Sequence, residues 1–211
     1  MVQSAKHIRQ DDDMVGAFGL STEERLQQIA DAVAVAIGGQ SQCIVGVALL
    51  CELSKHFGYA LTPRAVSLAA QSAATGRAVA TGALAADFIR KHGGSSEVVG
   101  YAGASPNGSE FQRAGHLVAT FGRPFILIDP TFEQFSAAGF PKVAPVVAIL
   151  PGEGEVLLEG PDFQAVCLFD DENGDWQDSF EKVREASREV GLDIANHLKA
   201  GQPPHTHDVR F

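Results

Sequence analysis

Apolar positions along the chain follow a helical spacing at both ends and a two-residue alternation in the middle. Leu26, Ile29, Ala30, Val33 and Ile37 recur at three and four residues, the stripe that an amphipathic helix turns towards a core. Ser21-Thr22-Glu23-Glu24 supplies an N-cap and an acidic first turn ahead of that stripe, and Gly38-Gly39 ends it. A short polar link, Gln40-Ser41-Gln42, leads to a second helical pattern that opens at Cys43. Val47, Leu50, Cys51, Ser54 and Phe57 trace its inner stripe, and Gly58 suits the position just past its end.

Alternation then takes over. Tyr59 to Ala70 reads as a strand, with Pro63 requiring an edge or a bulge because proline cannot donate to a ladder. Arg77 to Lys91 is rich in alanine and reads as a third helix or a partly irregular excursion, weakened by Gly82. Residues 92–114 are loop-rich around one short strand, Val98 to Tyr101. Further strands are expected at 116–121, 125–129, 142–150, 156–158 and 163–169. Trp176 to Lys199 returns to helical spacing, with Gly191 as an internal weak point.

Helices first, strands next and a closing helix argue for an α+β fold with an antiparallel sheet, since alternating βαβ units would interleave them. Residues 1–20 carry Asp11-Asp12-Asp13 and no period, and are expected to form a flexible lead-in. Residues 21–200 form one domain. Residues 201–211 are expected to be a flexible tail, in which His205-Thr206-His207 offers at most adventitious metal ligands.

The stretch from Gly115 to Gln134 brings candidate chemistry into this frame. Its two apolar runs flank Gly122-Arg123, as in a β-hairpin. A turn centred there pairs Thr120 with Phe125, Val118 with Leu127, and His116 with Asp129. Opposed residues on one face have Cβ atoms roughly 4.5–5.5 Å apart, within reach of a shared hydrogen bond. His116, Val118 and Thr120 then share a face with Phe125, Leu127 and Asp129, while Leu117, Ala119, Ile126 and Ile128 point the other way.

Cys43 is the candidate nucleophile because of its place at the first turn of a helix. Unpaired N–H groups and the positive end of the helix dipole favour thiolate there. Beside an imidazole oriented by a carboxylate, such a thiolate attacks carbonyl carbon, and first-turn N–H groups can steady the oxyanion. Gln40 and Gln42 are candidate oxyanion donors, and Gln134 a residue bracing the loop after Asp129. Cys51 and Cys167 lie within apolar patterns and read as small buried hydrophobes.

Composition narrows the partners. Formal net charge is −10, from 16 Lys and Arg against 26 Asp and Glu, without the clustered cations that a nucleic-acid backbone attracts. Three cysteines do not make a disulfide framework. No signal-peptide pattern opens the chain, and apolar runs stop well short of the ~18 residues of a membrane span. A reduced, cytoplasmic protein with neither nucleic-acid nor membrane partner is expected. No Gly-rich phosphate loop or metal-ligand spacing calls for a cofactor.

Cys43 opening an amphipathic helix that ends in Phe57-Gly58-Tyr59-Ala60, Gly115-His116-Leu117-Val118 at a strand start, and Ile128-Asp129-Pro130-Thr131-Phe132-Glu133-Gln134 together resemble the papain-like superfamily in its transglutaminase-like bacterial branch. The likeness spans roughly residues 35–150. It implies a nucleophile helix packed on an antiparallel sheet, with Cys43 as nucleophile, His116 as general base and acid, and Asp129 as orienting carboxylate. Gln42 stands where true transglutaminases often carry Trp, and the Arg-Gly-Gly-x-Cys signature of arylamine N-acetyltransferases is absent. The expectation is therefore a cysteine hydrolase or acyltransferase acting on an amide or thioester of a peptide, protein or small molecule. A non-catalytic binding or scaffold domain is the alternative, and a Cys/His/Asp metal site a third.

Overall fold

The computed structural model of the protein describes residues 19–38, 43–76, 78–84, 97–98, 115–122, 125–133, 145–150, 155–160 and 163–207. Among them are three long helices, α1 (Thr22–Ile37), α2 (Cys43–Lys55) and α3 (Gln177–Lys199). The strands are β1 (Thr62–Ser72), β2 (Ala78–Thr81), β3 (Glu97–Val98), β4 (His116–Phe121), β5 (Phe125–Asp129), β6 (Val146–Leu150), β7 (Glu155–Gly160) and β8 (Phe163–Phe169). The result is an α+β fold on an antiparallel, nearly closed sheet, with one parallel pair between β2 and β3.

Local chemistry sets the helix ends. Ser21 and Glu24 form a reciprocal capping box, with Ser21 Oγ accepting from the Glu24 N–H at 3.2 Å and Glu24 Oε2 accepting from the Ser21 N–H at 2.8 Å. Gly38 closes α1 in the left-handed conformation, φ 63°. In α2, 11 of 13 residues are buried, so it is a central helix rather than a one-faced one. It packs against α1, α3 and β4. Gly191, the weak point expected in the closing helix, is where α3 comes up to α2. A Cβ on it would stand 3.2 Å from the Leu53 backbone nitrogen.

Strand β1 is the hub of the sheet. Thr62–Val66 pair with β4, Leu68–Gln71 with β2, and Val66–Ser72 with β8. Pro63 lies in the part paired with β4 alone, where its missing N–H removes nothing from the β8 ladder. The run from Ala78 to Thr81 is a strand, not the start of a third helix. Pairing with β1 over four residues overrides the weak helical preference of its alanines. Ala83 and Leu84 are helical, whereas Arg77 and residues 85–91 of that expected helix, and 99–101 of the expected short strand, lie outside the described residues.

The two sheet faces bury different cores. Leu117, Ala119, Ile126 and Ile128 pack with the helices in one cluster. Val118 and Leu127 join Val66, Leu68, Leu150 and Cys167 in a second cluster, to which β7 adds Val156 and Leu158. The alternation expected for the hairpin is therefore observed.

The hairpin register is a correction. Ala119 stands opposite Ile128, Thr120 opposite Leu127 and Phe121 opposite Ile126, two residues away from the pairing expected. The connection is longer than a turn centred on Gly122-Arg123 allows, and Gly122 takes φ 70° to begin it. A shift of two residues keeps every side chain on its face, whereas a shift of one would have exchanged the faces.

Candidate functional site

With that register the alignment sets Asp129 level with Val118, and His116 lies diagonally across from it, with Val66 of β1 as its own partner. Diagonal Cβ atoms are about 7–8 Å apart, a span that an imidazole and a carboxylate close between them. His116 Nε2 and Asp129 Oδ2 meet at 2.6 Å, with the two side chains 2% and 1% exposed. The pair expected from the sequence is present, reached by a different register.

Asp129 is held on its other side as well. Its Oδ1 accepts from the Thr131 N–H at 2.9 Å and from the Thr131 hydroxyl at 3.0 Å. The carboxylate is thus an Asx-turn acceptor for the segment it starts, with Pro130 fixing the backbone between. Both oxygens are engaged, so neither rotation nor solvent competes with the bond to His116.

Cys43 is the first residue of α2, and it lies near enough to His116 to help raise that ring's pKa. Asp129 occupies Nε2 of the ring, which leaves Nδ1 as its remaining nitrogen. Burial disfavours charge on the ring, but the Asp129 carboxylate, its hydrogen bond and the contact with Cys43 outweigh it. Together they raise His116 from 6.5 to about 10. The ring carries a proton across the neutral range.

Two glycines allow this convergence. A Cβ on Gly46, one turn into α2 from Cys43, would lie 2.3 Å from Thr131 Cγ2, so the Pro130-Thr131 turn rests directly on the helix backbone. A Cβ on Gly115 would lie 2.8 Å from the Val66 carbonyl, so the residue before His116 must be bare for β4 to enter beside β1. Gly46 and Val66 were not singled out from the sequence, and Thr131 was named only within the run that follows Asp129. A glycine inside an otherwise apolar helix and a Thr two residues after an Asp are local signals, but their meeting is not local.

Cys51 is 4% and Cys167 1% exposed, and burial pushes both up to about 12. For Cys167 the Asp129 charge adds to the effect. Gln40, Gln42 and Gln134 lie outside the described residues. A groove of about 630 Å³ runs between α1 and residues 201–204, lined by Gln27, Asp31, Val35 and Pro203 among others and by none of the three site residues. Among the described residues no helix is long and apolar enough to cross a membrane.

No protein-family model, curated protein or solved structure matches the chain.

Proposed function

We propose that the protein is a cysteine-dependent enzyme of papain-like, transglutaminase-like type, acting on an amide or thioester carbonyl. The observation that carries this reading is the buried His116–Asp129 pair near Cys43, which opens a helix. Cys43 attacks as thiolate, its proton held on His116 Nδ1. The carbonyl oxygen takes the negative charge beside the first-turn N–H groups of α2. His116 then gives its proton to the departing amine or thiol, leaving an acyl-thioester on Cys43. Water, or a second amine, attacks that thioester while His116 takes its proton, and the free thiol is restored. Asp129 holds the ring in place and balances the imidazolium.

The direct bond between His116 Nε2 and Asp129 Oδ2 favours a proton relay over a shared ion, because in a chelate both groups would turn their lone pairs towards one point instead of towards each other.

The test is labelling of the folded protein by a thiol-reactive electrophile near neutral pH, read by peptide mapping. Cys43 is expected to react well ahead of Cys51 and Cys167, and His116→Gln to remove that lead. Equal reactivity of the three thiols in the folded chain would overturn the reading.

A further inference from the structure

A second cluster of ligating side chains lies at the far end of α3. Asp193 and His197 are one helical turn apart on the same face. The chain then leaves the helix through Gly201, φ 69°, with the Gln202 N–H bonded to the His197 carbonyl at 2.9 Å. Pro203-Pro204 keeps the next step extended. This path returns His205 and His207 to the same place. The His197 and His205 rings are 4.7 Å apart between centroids, and those of His205 and His207 4.3 Å.

We propose that Asp193, His197, His205 and His207 form a binding site for a divalent first-row transition ion, with zinc as its reference ligand. Asp193, His197 and His205 each offer one ligand atom within 4.8 Å of the others. His205 Nε2 is 3.7 Å and His207 Nε2 3.6 Å from the same Asp193 Oδ2. Four ligand atoms around tetrahedral zinc, at bonds of about 2.0–2.1 Å, stand about 3.3 Å from one another. His205 and His207 therefore need a few tenths of an ångström of approach to Asp193, while the histidines must close on one another by rotation of their rings, by about 1.5 Å or more at the widest pair. Three imidazoles and one carboxylate are also the donor set that zinc and its neighbours favour over calcium or magnesium.

One further observation points to a ligand. His207 Nε2 is buried and has no hydrogen-bond partner, a costly state for a polar atom facing a polar cluster. His197 Nδ1 lies 3.0 Å from the Asp193 carbonyl. A carbonyl only accepts, so Nδ1 donates to it, and the same Nδ1 lies 3.7 Å from Asp193 Oδ2, which ties the ring to the first turn of the cluster. The backbone is placed independently of any ion, since the His207 N–H donates to the Ala36 carbonyl at 3.1 Å in the last turn of α1. Binding would therefore fasten the C-terminal segment across α1 and α3, and with it the residues 201–204 that line the groove.

The experiment is calorimetric titration of the chelator-treated full chain with Zn²⁺, alongside absorption spectra with Co²⁺. One ion per chain is expected, with Kd at or below about 10 μM and the intense visible bands of four-coordinate cobalt. His205→Ala and Asp193→Asn should each weaken binding at least about tenfold while leaving the circular dichroism unchanged. Cys43→Ser should leave it intact. Hydrogen exchange at the His207 amide should slow when Zn²⁺ is added. Binding lost in Cys43→Ser, binding unaffected by both tail-cluster variants, or no binding tighter than about 100 μM would each overturn the proposal.

Discussion

Gly46 and Thr131 meet where no side chain could stand between them, since a Cβ on the glycine would reach to 2.3 Å from Thr131 Cγ2. Through this contact α2 and the turn that starts at Asp129 share a fixed distance. Gly46→Ala tests it with opposing effects. Helix propensity alone would stabilise α2 by about 1 kcal/mol. Overlap with the Pro130-Thr131 turn should cost more, for a net loss of roughly 1–3 kcal/mol. Thermal unfolding reads the balance, and a variant more stable than the parent would show that the turn is free to move.

Asp129→Asn keeps the shape and removes the charge. Burial of His116 would then act without its main opponent, and the ring should titrate below 6.5 rather than near 10. Ring nuclear magnetic resonance shifts followed against pH measure this directly. While the ring stays charged, loss of its buried partner should cost roughly 3–5 kcal/mol. An unchanged His116 titration would mean that another group holds the proton.

Stability should fall as pH rises, and in two stages. The folded pKa of His116 lies above its ordinary value, so its contribution is complete below pH 6.5 and is lost as pH rises through about 10. From about 9 upward Cys51 and Cys167 act in the same direction, because their buried thiols ionise only near 12 when folded. Urea unfolding across a pH series should show both slopes in the parent, and Asp129→Asn should lose the first alone.

Gly191→Val should destabilise the helical layer. Its Cβ would stand 3.2 Å from the Leu53 nitrogen and 3.5 Å from the Glu52 carbonyl carbon, backbone atoms of α2 that have little room to yield. A cost of roughly 1–3 kcal/mol is expected from overpacking. Chemical denaturation checks it, and an unaltered midpoint would show that α3 can lift from α2 without penalty.

Much of this architecture is legible in the sequence where a local rule decides it. Ser21, Glu24 and Gly38 bound α1 by capping chemistry, which involves near neighbours only. The faces of β4 and β5 follow from alternation, which a two-residue slip leaves unchanged. For the same reason alternation could not choose the register, which rests on the connection after Phe121. The strand at Ala78–Thr81 was unreadable for another cause, since its pairing partner β1, not its own composition, makes it a strand. At the site, His116 and Asp129 were visible because they share one hairpin. Gly46 and the role of Thr131 were not, because what they contribute is closeness between segments some 85 residues apart.

The position of β1 has a consequence for how the chain reaches this state. Its partners arrive at very different times during synthesis. β2 follows at once, β4 about fifty residues later and β8 about a hundred residues later. Until β8 emerges, the stretch from Val66 to Ser72 presents an open edge with apolar neighbours, the kind of template on which chains associate wrongly. The last third of the protein is therefore what makes the first third safe. Truncation before Phe163 should yield a chain that aggregates rather than a smaller folded domain.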